Sequence, residues 1–508
     1  MSLGIRDEER RIIPRWRDSA TTSALGELSQ PGSAPRPILA ASDFEQKALA
    51  WEREQTPSSA AELVGAALVL GREQDAIAAA QFLVRQEVTV TTTVREVAQT
   101  VLLRAGELTP PAVSEDPTWK ESARSRIRHL RSRLHDEPRN AVLWTDLSRE
   151  YASIGLSDQA SRAMETAVAL VEGNRFVLRS AVRLWVHLHD PERAHDLLRR
   201  RVATQEDPWL TAAEIAVASV AERQSRLVKR ATQMISNELF DARQTSELAS
   251  ALATLAMKDG SAKTARRLFA HSLVSPTDNS LAQATWAARR FAGISVDPSA
   301  LALPRTFEAR AWQFFGVREW FKSIRQCMLW IRDEPFAKRA AQMGSYMALV
   351  GANDPKLAET LVKLGLRAHP SDPALLNNLV VGLIEQGHLD EAERLYHSIR
   401  RPVSDQESET TLVATAGLLA FRRGNHDLGR KLYADAIAAA IAADLHRIAV
   451  IAELYMIREM IRAGEPGVAA TLTEALQNYG KLPDADVQEL LGRLRQDHNA
   501  KALASMHP

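Results

Sequence analysis

The stretch AVLWTDLSREYASIGLSDQASRAMETAVALVEGN, residues 141–174, decides the fold of this chain. Trp144, Leu147 and Tyr151 recur at spacings of three and four residues, which is the pattern of one face of a helix. Gly155 stands where that helix must stop, because glycine accepts a left-handed backbone at little steric cost. Small and apolar residues then begin a second helical pattern. The stretch therefore predicts a hairpin of two helices.

The same order of residues returns elsewhere in the chain. A second clear copy begins at Pro373 and contains the phrase LIEQGHLDEAERLY, and copies that start at Arg305, Arg339 and Pro373 are 34 residues apart. Poorer copies bring the total to about ten hairpins. The period and the residue order resemble the tetratricopeptide repeat. That resemblance implies an all-α, right-handed superhelical solenoid of stacked helical hairpins, which binds a polypeptide partner along its concave groove.

Loop-forming stretches divide the chain into five predicted regions. The breaks are SQPGSAPRP, GELTPPAVSEDP and GISVDPSALALP, whose proline, glycine and serine content does not suit packed helices. The predicted regions are a partly disordered N-terminal extension (1–40), N-terminal helical hairpins (41–106), a first block of repeats (119–292), a second block of repeats (305–481) and a C-terminal cap and tail (482–508).

Composition narrows the class of protein. The chain has 508 residues, one cysteine and a formal net charge of +1, so any polyanion would have to bind a local patch. The sequence shows neither the apolar core of a signal peptide nor a membrane span. We therefore expect a cytoplasmic protein, and the heavy use of alanine and arginine suggests a bacterial source. The oligomeric state stays open.

No catalytic, cofactor or metal site is predicted. Residues 260–264 resemble the end of a phosphate-binding loop, but no strand precedes them and the first glycine of that motif is missing. His187, His189 and His195 flank a predicted turn without a second pair of ligands at metal-site spacing. Cys327 lies on an apolar helix face, as a buried structural thiol does. We expect a protein that is not an enzyme and carries no cofactor.

The resemblance also implies which side chains line the groove, because the first helix of each hairpin forms the concave face. In the copy at residue 141 these positions hold Thr145, Asp146 and Arg149. The arginines of neighbouring copies predict a basic strip for an acidic partner, and two methionines predict an adaptable apolar groove. The predicted partner-binding residues are Arg149, Arg179, Arg183, Arg310, Gln313, Met343, Met347, Asn377 and Asn378.

Two functions stay open from the sequence alone. The favoured one is a scaffold or adaptor that holds a protein or peptide partner. The alternative is a nucleic-acid-associated regulatory protein that uses the arginine-rich stretch 124–133, with the segment IIPRWR as a basic arm. In that segment the apolar residues Ile12, Ile13, Pro14 and Trp16 lie between arginines. It either docks on its own solenoid or binds a partner.

Overall fold

Helices form all of the regular secondary structure in the part of the chain that the structure describes. The structure is a computed structural model that describes residues 10–24, 41–70, 72–85, 92–105, 119–236, 240–291, 293–303, 305–400 and 406–506. Within these ranges no strand is present. The prediction of an all-α solenoid of helical hairpins is confirmed.

The chain divides into two compact units. The N-terminal unit contains residues 11–306, and the C-terminal unit contains residues 1–10 and 307–508. Each unit consists of helices that pack mainly against their neighbours in the sequence, as expected of a repeat array.

The N-terminal unit contains sixteen α-helices in its described residues. They are α1 (Ser19–Ala24), α2 (Ala41–Arg53), α3 (Pro57–Leu70), α4 (Ile77–Arg85), α5 (Thr92–Ala105), α6 (Trp119–Asp136), α7 (Ala141–Ser153), α8 (Ser157–Ala169), α9 (Arg175–His187), α10 (Pro191–Arg199), α11 (Ala203–Glu206), α12 (Pro208–Val220), α13 (Val228–Ser236), α14 (Ala242–Lys258), α15 (Ala262–Ser272) and α16 (Asp278–Ala288). Two short 3₁₀ helices cover Glu73–Ala76 and Pro298–Ala302.

The C-terminal unit continues the helical numbering. Its helices are α17 (Phe307–Gly316), α18 (Trp320–Asp333), α19 (Lys338–Tyr346), α20 (Pro355–Leu366), α21 (Pro373–Glu385), α22 (Leu389–Ser398), α23 (Gln406–Arg422), α24 (His426–Ala442), α25 (His446–Ala463), α26 (Val468–Tyr479) and α27 (Ala485–Met506). One π-helical turn, Met347–Gly351, extends α19.

The hairpin of α7 and α8 shows how the sequence sets the local structure. Asn140 caps α7 by accepting a hydrogen bond from the backbone N–H of Leu143 at 3.2 Å. Gly155 takes the left-handed conformation, with φ of 73°, in the turn that follows. The side chain of Ala160 has no exposed surface, and the Ser148 hydroxyl donates to the Ala160 carbonyl at 2.7 Å. The two helices therefore cross closely at Ala160.

Close crossings in the C-terminal unit use glycine as well as alanine. Ala392 on α22 is fully buried, as its place in the repeat predicts. Gly365 on α20 lies so near α19 that an added Cβ would be 2.5 Å from the Cβ of Ala341. Any side chain at Gly365 would push the two helices apart. Small residues thus set the distance between successive helices.

The first prediction concerns these crossings. Replacing Ala160 with Leu should overpack the α7–α8 hairpin and lower the free energy of unfolding by about 1–3 kcal/mol. Thermal unfolding followed by circular dichroism measures this change. Ala169→Leu is the matched control, because Ala169 is exposed on the same helix. Equal stability of the two variants would contradict the assignment of Ala160 as a crossing position.

Candidate functional site

An extended segment near the N-terminus contacts α7, α12 and α16, which are first helices of hairpins in the N-terminal unit. We call residues 11–24 the docked segment. Residues 11–18 have no regular secondary structure, and α1 completes the segment. Ile12, Pro14 and Trp16 are buried, whereas Arg11, Ile13 and Arg15 between them are half-buried. This alternation is that of an extended chain with one face against the protein.

Ile12 anchors the apolar side of the docked segment. Its side chain is 1% exposed and packs in a cluster formed by α12, α13 and α14. Ala212 and Ala216 on α12 and Ala251 on α14 belong to this cluster. Trp16 has no exposed surface and is among the largest fully buried side chains of the described residues. Burying such side chains stabilises the docked state, at roughly 1.5–3 kcal/mol for an aliphatic residue of this size.

Polar side chains of the array hold the backbone and the ends of the docked segment. The Arg11 Nε donates to the Ser219 hydroxyl on α12 at 2.9 Å. The Asn279 amide on α16 donates to the Ile13 carbonyl at 3.0 Å. The Arg149 Nε on α7 donates to the Trp16 carbonyl at 3.4 Å. Contacts from separate first helices therefore fix the register of the segment.

Asp278 is the main charged anchor. It lies in the first turn of α16 and is 9% exposed. The Arg17 guanidinium donates to its two carboxylate oxygens at 2.7 and 3.4 Å, and the Arg15 Nε donates to it at 3.1 Å. Arg17 is itself only 3% exposed. Docking of the segment depends on this buried group of charges, because removing the carboxylate leaves two arginines without their shared partner and removing the arginines leaves a buried carboxylate unpaired.

Asp146 on α7 forms the second acidic anchor. Its carboxylate oxygens accept hydrogen bonds from the Ser19 backbone N–H at 2.9 Å and from the Ser19 hydroxyl at 2.5 Å. Burial raises the pKa of the Asp146 carboxyl to about 6, although the two bonds from Ser19 oppose the rise. The groove position that the repeat assigns to Asp146 therefore faces the docked segment.

The predicted basic strip is largely enclosed. Arg149 is 7% exposed and also donates to Glu150 at 3.1 Å. Arg179 on α9 is 5% exposed, and its guanidinium donates to the two Glu247 carboxylate oxygens on α14 at 2.9 and 3.2 Å. Arg183 is half-buried on the same helix as Arg179. Arg149 and Arg179 thus meet carboxylates of their own chain.

The other predicted partner-binding residues lie in the C-terminal unit. Gln313 is exposed on α17, and Arg310 is half-buried. Met343 and Met347 have no exposed surface, so they belong to the packed interior rather than to an open groove. The predicted roles of Arg183, Arg310, Gln313, Met343 and Met347 in binding a partner stay predictions.

Two neighbouring asparagines on α21 differ in their contacts. The amide of Asn378 donates to the Ser345 hydroxyl at 3.0 Å and so links α21 to α19. Asn377 is 1% exposed, and neither polar atom of its side chain has a hydrogen-bond partner. The repeat positions therefore bring both side chains into the interior of the array. Their predicted role in partner binding is likewise untested.

Ion pairs link successive first helices of the C-terminal unit as well. Glu385 on α21 and Glu459 on α25 accept hydrogen bonds from three arginines, of which Arg458 is the most buried. The arginines are Arg422, Arg458 and Arg462. The Tyr346 hydroxyl donates to Asp486 at the start of α27, and burial raises the pKa of Tyr346. Helix α27 lies in the region predicted as a C-terminal cap, and it buries a carboxylate against α19.

The residues examined for metal or thiol chemistry have structural surroundings. His189 is exposed in the turn after α9, whereas His187 and His195 are buried. The His195 Nε2 lies 3.1 Å from a Glu214 carboxylate oxygen. Cys327 is fully buried, and burial raises the pKa of its thiol. In the described ranges no group of three or more potential ligands is placed to hold a metal ion.

Sequence reasoning missed most of the anchors of the docked segment. No groove positions were predicted on the helices that carry Asp278, Asn279 and Ser219. The available signal was the grouping of apolar residues with arginines in residues 10–17, RRIIPRWR. Buried arginines need carboxylate partners, but the sequence does not say which carboxylates these are.

No known family model matches the chain, and no curated protein matches its sequence. It is similar to the crystal structure of the APC/C hetero-tetramer Cut9–Hcn1, with 11% identity, a TM-score of 0.33, and coverage of 89% of this chain and 92% of that chain. It is also similar to yeast Tom70, with 9% identity, a TM-score of 0.31, and coverage of 90% and 96%. The fold assignment rests on the helices, turns and crossings described above.

In the described part of the chain, no helix is both long enough and apolar enough to cross a membrane.

The second prediction concerns Asp278. Replacing it with Ala removes the carboxylate that pairs with Arg15 and Arg17, and breaking a buried pair costs about 3–5 kcal/mol. We expect the docked segment to leave its site, so amide hydrogen exchange in residues 11–24 should speed up by roughly tenfold or more. Glu165→Ala is the control, since Glu165 forms an exposed pair with Arg193. Unchanged exchange in the Asp278 variant would show that the ion pairs do not hold the segment.

The third prediction concerns Asp146 and pH. Its folded-state pKa of about 6 lies above the unfolded value of about 3.9, so the folded chain binds more protons between these values. This contribution to stability is present below pH 4 and is lost as the pH rises to 6. The Asp146→Asn variant has no carboxyl at this position, so it should not lose this stability. Between pH 4 and pH 6 its free energy of unfolding should therefore rise by about 1–3 kcal/mol relative to that of the parent. Thermal unfolding at several pH values measures it.

Asp158→Asn provides the control for pH dependence, because Asp158 is exposed on α8. This variant should follow the parent over the same window. If Asp146→Asn also follows the parent, the carboxyl of Asp146 does not titrate in this range.

Proposed function

We propose that this chain is a non-catalytic scaffold that binds an extended polypeptide. The binding surface is formed by the first helices of the hairpins in its N-terminal unit. The observation that carries the proposal is the docked segment itself. Ile12 fills an apolar cluster, Arg15 and Arg17 pair with Asp278, and polar side chains bind the segment backbone. A surface that makes all three kinds of contact has the features of a peptide-binding groove.

The charges of the groove define the chemistry of the guest. The carboxylates of Asp146 and Asp278 face the docked segment, whereas Arg149 and Arg179 form ion pairs with Glu150 and Glu247. A guest therefore supplies positive charge and receives negative charge from the groove. We infer that the partner is a basic extended peptide with apolar residues at alternate positions. This differs from the acidic partner expected from the sequence.

The docked segment also sets the conditions under which a partner binds. A peptide tethered to its own binding site acts at an effective concentration that reaches the millimolar range for short linkers. A partner of the same chemistry in solution must compete with that segment. The chain should therefore accept the partner weakly until the docked segment leaves.

The fourth prediction tests this competition. A variant that lacks residues 1–24 should bind a fluorescent peptide of residues 11–24, RIIPRWRDSATTSA, and fluorescence anisotropy should show saturable binding. The full chain should bind the same peptide at least about tenfold more weakly, because its groove is occupied. Circular dichroism confirms that the shortened chain retains its helices.

Two matched peptides and one protein variant sharpen the test. A peptide with Arg15→Glu and Arg17→Glu should lose most of its affinity, and so should the parent peptide with an Asp278→Arg groove. A peptide of equal length rich in Asp and Glu should not compete. Equal binding to the shortened and full chains would contradict the proposal, because the peptide would then occupy another surface.

A further inference from the structure

A surface cavity of about 460 Å³ lies in the N-terminal unit, and none of its lining residues is among the contacts of the docked segment described above. It is formed by the end of α10, the short helix α11, Glu214 on α12 and the loop before α13. Its volume is that of a site for a small molecule. Five arginines line it: Arg199, Arg200, Arg201, Arg223 and Arg226.

The carboxylates at the cavity are already engaged. Asp196 pairs with both Arg199 and Arg223, at 2.9 and 3.2 Å. Glu214 is 2% exposed, lies 3.1 Å from the His195 Nε2 and accepts a hydrogen bond from the Ser225 hydroxyl. Glu214 is the one carboxylate among the described lining residues, and Asp196 reaches the cavity through its pairs with Arg199 and Arg223.

The remaining arginines carry the excess charge. Within the described ranges, Arg200, Arg201 and Arg226 form no ion pair. Five arginines face two engaged carboxylates, so the cavity keeps a positive balance. Clustered like charges raise the local potential and attract multiply charged anions.

A buried polar group at the cavity points to the same kind of ligand. Thr204 is 1% exposed, yet its hydroxyl has no hydrogen-bond partner. The His195 Nδ1 is likewise buried without a partner. Buried polar atoms are nearly always hydrogen-bonded in proteins, so an unsatisfied hydroxyl on the wall of a basic cavity is suited to an incoming acceptor.

We propose that this cavity binds a small, multiply charged phosphate compound. Planar guanidinium groups donate pairs of hydrogen bonds that match phosphate oxygens, and the hydroxyl of Thr204 supplies a further donor at the wall. The concave surface and the buried Thr204 distinguish the cavity from the arginine stripe of α6. There, Arg124, Arg128 and Arg131 are exposed along one helix face.

Isothermal titration of the full chain with inorganic pyrophosphate at about 50 mM salt tests the proposal. We expect saturable binding at one site per chain. The triple variant Arg200→Ala, Arg201→Ala, Arg226→Ala should weaken binding by roughly 100-fold, because each lost contact is a charge-assisted hydrogen bond. The control triple variant Arg124→Ala, Arg128→Ala, Arg131→Ala removes the same charge elsewhere and should bind as the parent does.

Thr204→Val separates binding from structure. It replaces an unpartnered buried hydroxyl by a methyl group of similar shape, so the variant should fold at least as stably as the parent. Its affinity for pyrophosphate should nevertheless fall by about tenfold. Absence of saturable binding to the parent, or equal losses in the two triple variants, would overturn the proposal. A Thr204→Val variant that keeps full affinity would remove the hydroxyl from the site.

Discussion

Each helical hairpin of this chain has an apolar face that it cannot cover by itself, and this constraint shapes the rest of the structure. Neighbouring hairpins must approach closely enough to exclude water from that face. Ala160, Ala392 and Gly365 allow the approach because they present little or no side chain at the crossings. The larger residues then fill the spaces between helices. Polar and charged residues are left for the faces that do not stack.

Those polar faces contain buried charges, which must be paired. Arg179 pairs with Glu247, which lies two hairpins later in the chain. In the C-terminal unit, Arg458 pairs with Glu385, which lies two hairpins earlier. Burying a charge is costly unless its partner is correctly placed, so each pair favours a single register of the helices that carry it. The same logic fixes the docked segment, where Arg15 and Arg17 must both reach Asp278.

The near-neutral total charge conceals two local environments of opposite sign. Carboxylates face the docked segment at Asp146 and Asp278, and arginines line the cavity near Thr204. A sum over the chain gives +1, because the two kinds of group cancel in number. Recognition depends on the separation of these groups in space. The two proposed ligands, a basic peptide and a phosphate compound, therefore match separate charged surfaces of the same unit.

The sequence by itself determined the helical hairpins, their 34-residue period and their turns at Gly155 and Gly387. These features depend on residues close in the chain, where helix spacing and the left-handed turn conformation leave a clear pattern. It also placed Asp146 and Arg149 on a first helix that faces the groove. The apolar residues around Trp16 were recognisable in the sequence, but the sequence left open whether they dock on their own chain or bind a partner.

Only the tertiary structure decided which charges meet. Arg17 and Asp278 are 261 residues apart, and Arg179 and Glu247 are 68 apart, so no local pattern connects them. The tertiary structure also enclosed Met343 and Met347, which the repeat positions assigned to an open groove. Helix periodicity fixes the face on which a side chain lies, whereas burial and ion pairing depend on what the rest of the chain places against that face.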